Sequence, residues 1–290
     1  MHSDIFNKVY KKVPQDQKER LLKFRSSHPL KNIIHHGYNW EYISCRQGTQ
    51  TLVLLPGGIR FGEAWFLLIE ALQDQFNILA PTYPSVIKME DLADGIANIL
   101  DSEQVEKAYF LGASLGGWLA QCFVRKYPDK VSKLILSNTS DPGAFSTRQV
   151  KIGLLSVKLF PLSLLKSVAE IRIMNLISPP DSEREFWRAF LHEKFSYYVS
   201  REDMVSEMQY IFDYVNNYKF SSDDLKDWSG KILILESDND PAFQKTVRES
   251  LKPLYPSSQI HTLHNTGHAP GYRGLQEYID AIKKYLTDGL

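Results

Sequence analysis

Cysteine is scarce in this chain of 290 residues, which carries only Cys45 and Cys122. Two thiols cannot build a disulfide framework, so the fold must rest on its core, and both are expected to be reduced. Net charge is missing as well. Lysine plus arginine number 34 and aspartate plus glutamate number 34. That balance excludes the basic footprint of a nucleic-acid binder and any steering by net charge. No window approaches the ~18 consecutive apolar residues of a membrane-spanning helix. The opening stretch MHSDIFNKVYKKVPQDQKER lacks the apolar run of a secretory signal, so a cytoplasmic protein without a membrane span is expected. No Cys/His cluster and no H-E-x-x-H motif occurs, so no metal is expected. Internal repeats, low-complexity tracts and Gly/Ser linkers are absent too.

What is present is ordinary for a soluble globular protein, 43% apolar and 23% charged residues. Short apolar runs alternate with helix-length amphipathic segments, the pattern of a mainly parallel sheet with crossover helices. Lys31 to His35 and Glu41 to Cys45 read as a hairpin around Gly37. Further strands are expected at Thr51 to Leu55, Phe76 to Ala80 (ended by Pro81), Ala108 to Leu111, Lys133 to Leu136, Lys231 to Leu235 and Gln259 to Leu263. Helices are expected at Glu63 to Gln73, Met89 to Leu100, Leu115 to Tyr127, Ala242 to Leu251 and Gly274 to Leu286. From Asp141 to Trp228 the period is helical throughout, with segments at Ile152 to Phe160, Leu162 to Leu176, Ser182 to Phe195 and Ser200 to Tyr214. This excursion reads as a helical cap inserted into one α/β domain. The expected organisation is therefore an N-terminal extension over 1–30, a core over 31–140 and 229–290, and a lid over 141–228. The charged stretch Asp16 to Phe24 could be a helix that packs on the core or on a second subunit in a homodimer.

The sharpest local signal is Gly112-Ala113-Ser114-Leu115-Gly116-Gly117, which follows a strand directly and opens a helix. A serine at such a turn projects its hydroxyl above the sheet, and the flanking glycines give the turn room. The loop Leu55-Pro56-Gly57-Gly58 follows an earlier strand. A serine attacking a carbonyl creates an oxyanion, whose backbone donors would be the N–H groups of Gly58 and Leu115. The serine needs a base. Of eight histidines, only His268 follows a late strand in a turn of its own, Asn265-Thr266-Gly267-His268, with His264 its competitor. His261 falls on a strand, and His35 and His36 lie in the early hairpin. The acid that orients the histidine comes from Glu236-Ser237-Asp238-Asn239-Asp240-Pro241, where a strand ends at the edge at which such sheets place their sites. Asp240 is the first choice, Asp238 and Asp141 the alternatives. Arg60 and Trp118 neighbour the proposed hole and nucleophile. Arg60 could bind a substrate carboxylate or sit exposed on the surface.

The order Ser114, Asp240, His268 is that of α/β-hydrolases, and here the sequence resembles that superfamily, most of all its maspardin-like branch and bacterial relatives. LLPGG, GASLGGWLAQCFVRKYP, KLILSNTSDPGAF, ILILESDNDPAF and LYPSSQIHTLHNTGH carry the resemblance. It implies an eight-stranded, mostly parallel sheet and supports the three triad positions. The expected function is a serine hydrolase acting through an acyl-enzyme on a carboxylic ester or thioester of an apolar small molecule, with no cofactor. Apolar lid segments such as IGLLSVKLFPLSLL and EFWRAFL either face the substrate or dock the lid on the core. A C–C bond hydrolase or a lactonase would use the same triad. The alternative from another class is a non-catalytic, maspardin-like binding or adaptor protein.

Overall fold

The computed structural model describes residues 2–288. Eight strands form one sheet: β1 (Leu30–His35), β2 (Tyr38–Cys45), β3 (Gln50–Leu55), β4 (Phe76–Thr82), β5 (Ala108–Ala113), β6 (Val131–Ser137), β7 (Lys231–Ser237) and β8 (Gln259–Leu263). Their order is β1-β2-β4-β3-β5-β6-β7-β8. β2 runs against both its neighbours, and every other pair is parallel. Two helices precede the sheet, α1 (His2–Val9) and α2 (Gln15–Ser27). Within the first half lie α3 (Phe66–Leu72), α4 (Met89–Ser102) and α5 (Leu115–Lys126). Four helices fill the insertion between β6 and β7: α6 (Thr147–Leu159), α7 (Leu162–Ile177), α8 (Arg184–Tyr197) and α9 (Arg201–Asn217). The chain ends with α10 (Lys245–Leu251), α11 (Pro270–Arg273) and α12 (Leu275–Thr287).

The central strands are apolar on both faces because both are covered. Leu52, Leu54, Leu111, Ile135, Leu233 and Leu235 point to one side, with α3, α8, α12 and the N-terminal helices packed over them. Val53, Leu55, Phe110, Leu134, Leu136 and Ile234 point to the other, beneath α4, α5 and Tyr210 and Tyr214 of α9. The inserted helices therefore reach over both faces.

The observed elements depart from the expected ones at several places. β4 continues through Pro81 to Thr82. The β3 ladder stops at Leu79, so no β3 partner requires the N–H that Pro81 lacks. The segment expected as a helix from Glu63 opens instead as a 3-10 turn, Gly62–Trp65, before α3 begins. α10 begins only at Lys245, because the Asp240 side chain takes the N–H groups of Ala242 and Phe243 into a turn of its own. Finally, the lid segment EFWRAFL docks: Phe186, Trp187 and Phe190 are buried in the main core. Of IGLLSVKLFPLSLL only Val157 is buried, and much of the rest is exposed.

The N-terminal extension packs on this chain's own core and lid. Phe6, Tyr10, Leu21 and Phe24 are buried, and a charge network closes the junction. Arg25 bonds Glu63 beside α3 at 2.5 Å and Glu193 of α8 at 2.6 Å. Lys194 pairs with Glu63, and the Tyr10 hydroxyl donates to Glu193 at 2.7 Å. Two cations face two carboxylates, so the burial of each charge is offset by hydrogen-bonded partners. Burial pushes the Glu63 carboxyl up, but Lys194 and Arg25 outweigh it and hold it down at about 2.

Glu63→Gln should cost about 3–5 kcal/mol in urea unfolding, because it leaves buried cations short of a partner. The sign with pH follows from the lowered value. The contribution of Glu63 is complete above its ordinary value of 4.5 and is lost as pH falls toward about 2. The deficit of the variant should therefore shrink on acidification, and a deficit that stays constant down to that pH would contradict the network.

Candidate active site

The turn after β5 places Ser114 at φ 53° and ψ −118°, a left-handed conformation that costs a non-glycine residue about 1–3 kcal/mol. Four hydrogen bonds hold it there. Ser114 N–H donates to Ser137 O at 3.0 Å, and Ser114 O accepts from Gly117 N–H at 2.9 Å, from Trp118 N–H at 3.3 Å and from Thr139 Oγ1 at 2.7 Å. The glycines are required by close approach. A Cβ on Gly116 would stand 2.1 Å from Leu55 O, and one on Gly112 would stand 2.3 Å from Gly116 O. The loop after β3 is pressed against the same turn, with Gly57 close to the Ser114 side chain.

At the ends of β7 and β8 the chain builds a second unit. Both carboxylate oxygens of Asp240 lie at 2.9–3.0 Å from His268 Nδ1, and both residues are buried. The Asp240 carboxylate accepts the Nδ1 proton, which leaves Nε2 as the unprotonated nitrogen that can accept another. Asn138, at the end of β6, ties this unit down. Its amide donates to His268 O at 2.7 Å and Ser237 Oγ at 3.0 Å, and its Oδ1 accepts from Ser237 N–H at 2.8 Å. Asn138 and Thr139 thus hold the histidine loop with one residue and the serine turn with the next. Among the described residues no hydrogen bond joins the Ser114 hydroxyl to the His268 ring.

The alternatives considered from sequence fall elsewhere. Asp238 and His264 pair with each other at 2.8 Å, and both are exposed. Asp141 accepts a bond from Ser250 instead. His261 lies on the surface near Glu277, and His35 stacks on His36. The side chain of His2 lies outside the described set.

Gly58 and Leu115 have N–H groups with no acceptor among the described residues. Arg60 is not on the surface. It is 4% exposed, and its guanidinium donates from Nε to Tyr83 O at 3.1 Å and pairs with Asp203 of α9 at 3.0 Å. Its backbone takes a positive φ of 56°. Trp118 is buried too, stacked on Tyr214 of α9 at 5.0 Å, with its indole N–H on Ser140 Oγ. Both residues join lid to core.

One residue of this site gave no signal in the sequence. Glu207, half-buried on α9, would lie 3.5 Å from a Cβ on Gly58. Its carboxyl has no hydrogen bond among the described residues. Burial pushes it up to about 7, against the pull of Arg60 and Arg172 and with some help from Asp203. On a helix otherwise read as amphipathic packing, nothing distinguishes it from a solvated glutamate.

The sequence profile of the alpha/beta hydrolase family matches residues 52–281. Maspardin of Rattus norvegicus is 35% identical over 133 residues, which are 42% of this chain and 51% of that protein, so the match spans about half of its length. Maspardin of Danio rerio is 25% identical over 265 residues, 85% of this chain and 79% of its own. Among solved structures, an esterase from Thermogutta terrifontis superimposes with a TM-score of 0.72 at 19% identity, covering 89% of this chain and 98% of that one.

Because the Glu207 carboxyl binds its proton more tightly folded than unfolded, it weakens the fold progressively as pH rises from 4.5 to about 7. Glu207→Gln removes that loss. Its melting temperature should match the wild type at acidic pH and exceed it by a few degrees above neutrality, since ~1 kcal/mol moves a domain of this size by roughly 2–4 °C. A gain confined to the acid side would refute the assignment.

Proposed function

The chain is a member of the alpha/beta hydrolase family, and from that premise we propose that it is a serine hydrolase acting on a carboxylic ester or thioester with a small to medium apolar acyl group. The observation that carries this reading is the buried His268–Asp240 pair, linked through the consecutive residues Asn138 and Thr139 to the strained Ser114 turn. In the reaction, His268 Nε2 takes the proton of Ser114 as Oγ attacks the acyl carbonyl. The N–H groups of Gly58 and Leu115 receive the developing oxyanion, and each such donor is worth about 10²–10³ in rate. Asp240 stabilises the imidazolium and keeps its tautomer without taking the proton itself. His268 then returns the proton to the leaving alcohol or thiol, and water, activated by the same ring, releases the acid.

Aromatic surroundings support an apolar acyl group. Phe243 packs at 5.3 Å against the His268 ring, and Phe145 packs at 6.1 Å against Phe243. Arg60 and Trp118, engaged by Asp203 and Tyr214, shape the site by fixing the lid.

A fluorophosphonate probe and a series of p-nitrophenyl esters of increasing acyl length test this reading. The wild type should be labelled and turn over esters, and Ser114→Ala should lose both. Asp240→Asn should lower kcat by about 10⁴, while Asp238→Asn, whose carboxylate meets the exposed His264 and the Asn265 N–H, should stay within a few-fold. A folded wild type that neither labels nor hydrolyses would overturn the proposal in favour of a non-catalytic binding protein.

A further inference from the structure

We propose that the outer face of the α6–α7 corner docks on an anionic lipid surface. Helix α7, LSLLKSVAEIRIMNLI, is apolar nearly all round, yet only Ile177 in it is buried. A helix of that character ordinarily lies in a core or in an apolar medium. Of the fourteen large hydrophobics exposed among the described residues, seven fall between positions 152 and 171. They are ordered. Ile152, Leu155 and Leu159 follow each other at helical spacing on α6, and Leu164, Val168 and Ile171 do so on α7. Phe160 and Leu159, 50% and 72% exposed, sit at the bend between the two helices. Arg201 pins that bend by donating to the carbonyls of Val157 and Phe160, so the apolar corner is presented by a fixed backbone.

Charge decides what covers this face. The chain as a whole is neutral, but the exposed charged residues of α6 and α7 are Arg148, Lys151, Lys158 and Arg172, with no exposed acid among them. The single carboxylate of the two helices, Glu170, is turned toward His192 of α8. A second copy of the chain placed symmetrically on this face would set these cations against themselves. A neutral apolar partner would leave them unanswered. An anionic bilayer accepts the leucines and isoleucines at its acyl boundary and the lysines and arginines at its headgroups. The docking does not depend on the hydrolase reading.

Flotation with vesicles tests it, using phosphatidylcholine alone or with about 30% phosphatidylserine. The chain should float with the mixed vesicles, stay behind with the neutral ones, and release in high salt. Leu159→Asp with Phe160→Asp should abolish flotation. Arg148→Glu with Lys158→Glu should weaken it roughly twenty-fold or more, at about fivefold per basic residue near the surface. All of these side chains are exposed, and unchanged melting temperatures would show that the fold is intact. The Ser114→Ala variant should float like the wild type, which separates this result from any hydrolysis. Absence of binding to either vesicle, equal binding to both, or a dimer in light scattering that the Leu159/Phe160 pair dissolves would each overturn the proposal.

Discussion

Ser114 sits in a left-handed turn that its own side chain disfavours, and the architecture around it is arranged to make any other conformation worse. β5 is flanked by β3 and β6, so the turn at its end is wedged between the loops that follow both neighbours. Leu55 O from one side approaches Gly116, and Ser137 O and Thr139 from the other side hold the Ser114 backbone. A strain of about 1–3 kcal/mol is small beside the burial of ten consecutive residues of α5 beneath the sheet. The strained turn is therefore sustained by packing that forms anyway. Because the strands are parallel, the loops after β3, β6, β7 and β8 end on the same edge, and each contributes one part of the site.

That dependence explains what could be read from the residues alone. A serine between glycines is uninformative by itself, but AYFL before it and an amphipathic helix after it define the turn, and the turn defines the edge. The central strands were legible because burial on both faces makes them nearly continuous apolar runs. The choice of acid was less so. Asp238 and Asp240 lie on one loop, and what separates them is conformational. Asp240 accepts the N–H groups of Ala242 and Phe243 and is thereby turned inward, whereas Asp238 caps Asn265 and faces water. Asn138 was missed because an asparagine after a strand signals only a turn. Its role appears once β6 and β8 are seen to deliver it against the His268 carbonyl. Arg60 was misplaced because proximity in sequence to a glycine loop says nothing about which way a left-handed residue points.

Lid and core meet in two charged clusters, and their contrast shows how hydrogen bonding decides what burial does to a carboxyl. Glu63, reached by Arg25 and Lys194, is held at about 2. Glu207, with Arg60 and Arg172 near it but with no hydrogen bond of its own among the described residues, is pushed to about 7. Both are desolvated, so the difference lies in the partners. Arg60 spends its hydrogen bonds on Asp203 and the Tyr83 carbonyl, so its pull on Glu207 is through space only and does not outweigh burial.

These two junctions give the lid an uneven attachment. α8 is fixed by Trp187, Phe186 and Phe190 in the core and by the balanced ion network to the N-terminal helices. α9 is anchored through Tyr210 and Tyr214, but around Glu207 it carries a carboxyl whose burial, when ionised, outweighs the pull of Arg60 and Arg172. α6 and α7 bury only Val150, Val157 and Ile177 between them. Local stability follows buried apolar contact, so opening should begin at the α6–α7 corner, with α8 as the fixed base. The N-terminal extension, through its packing and its ion pair to Glu193, braces the more deeply buried half of the inserted helices.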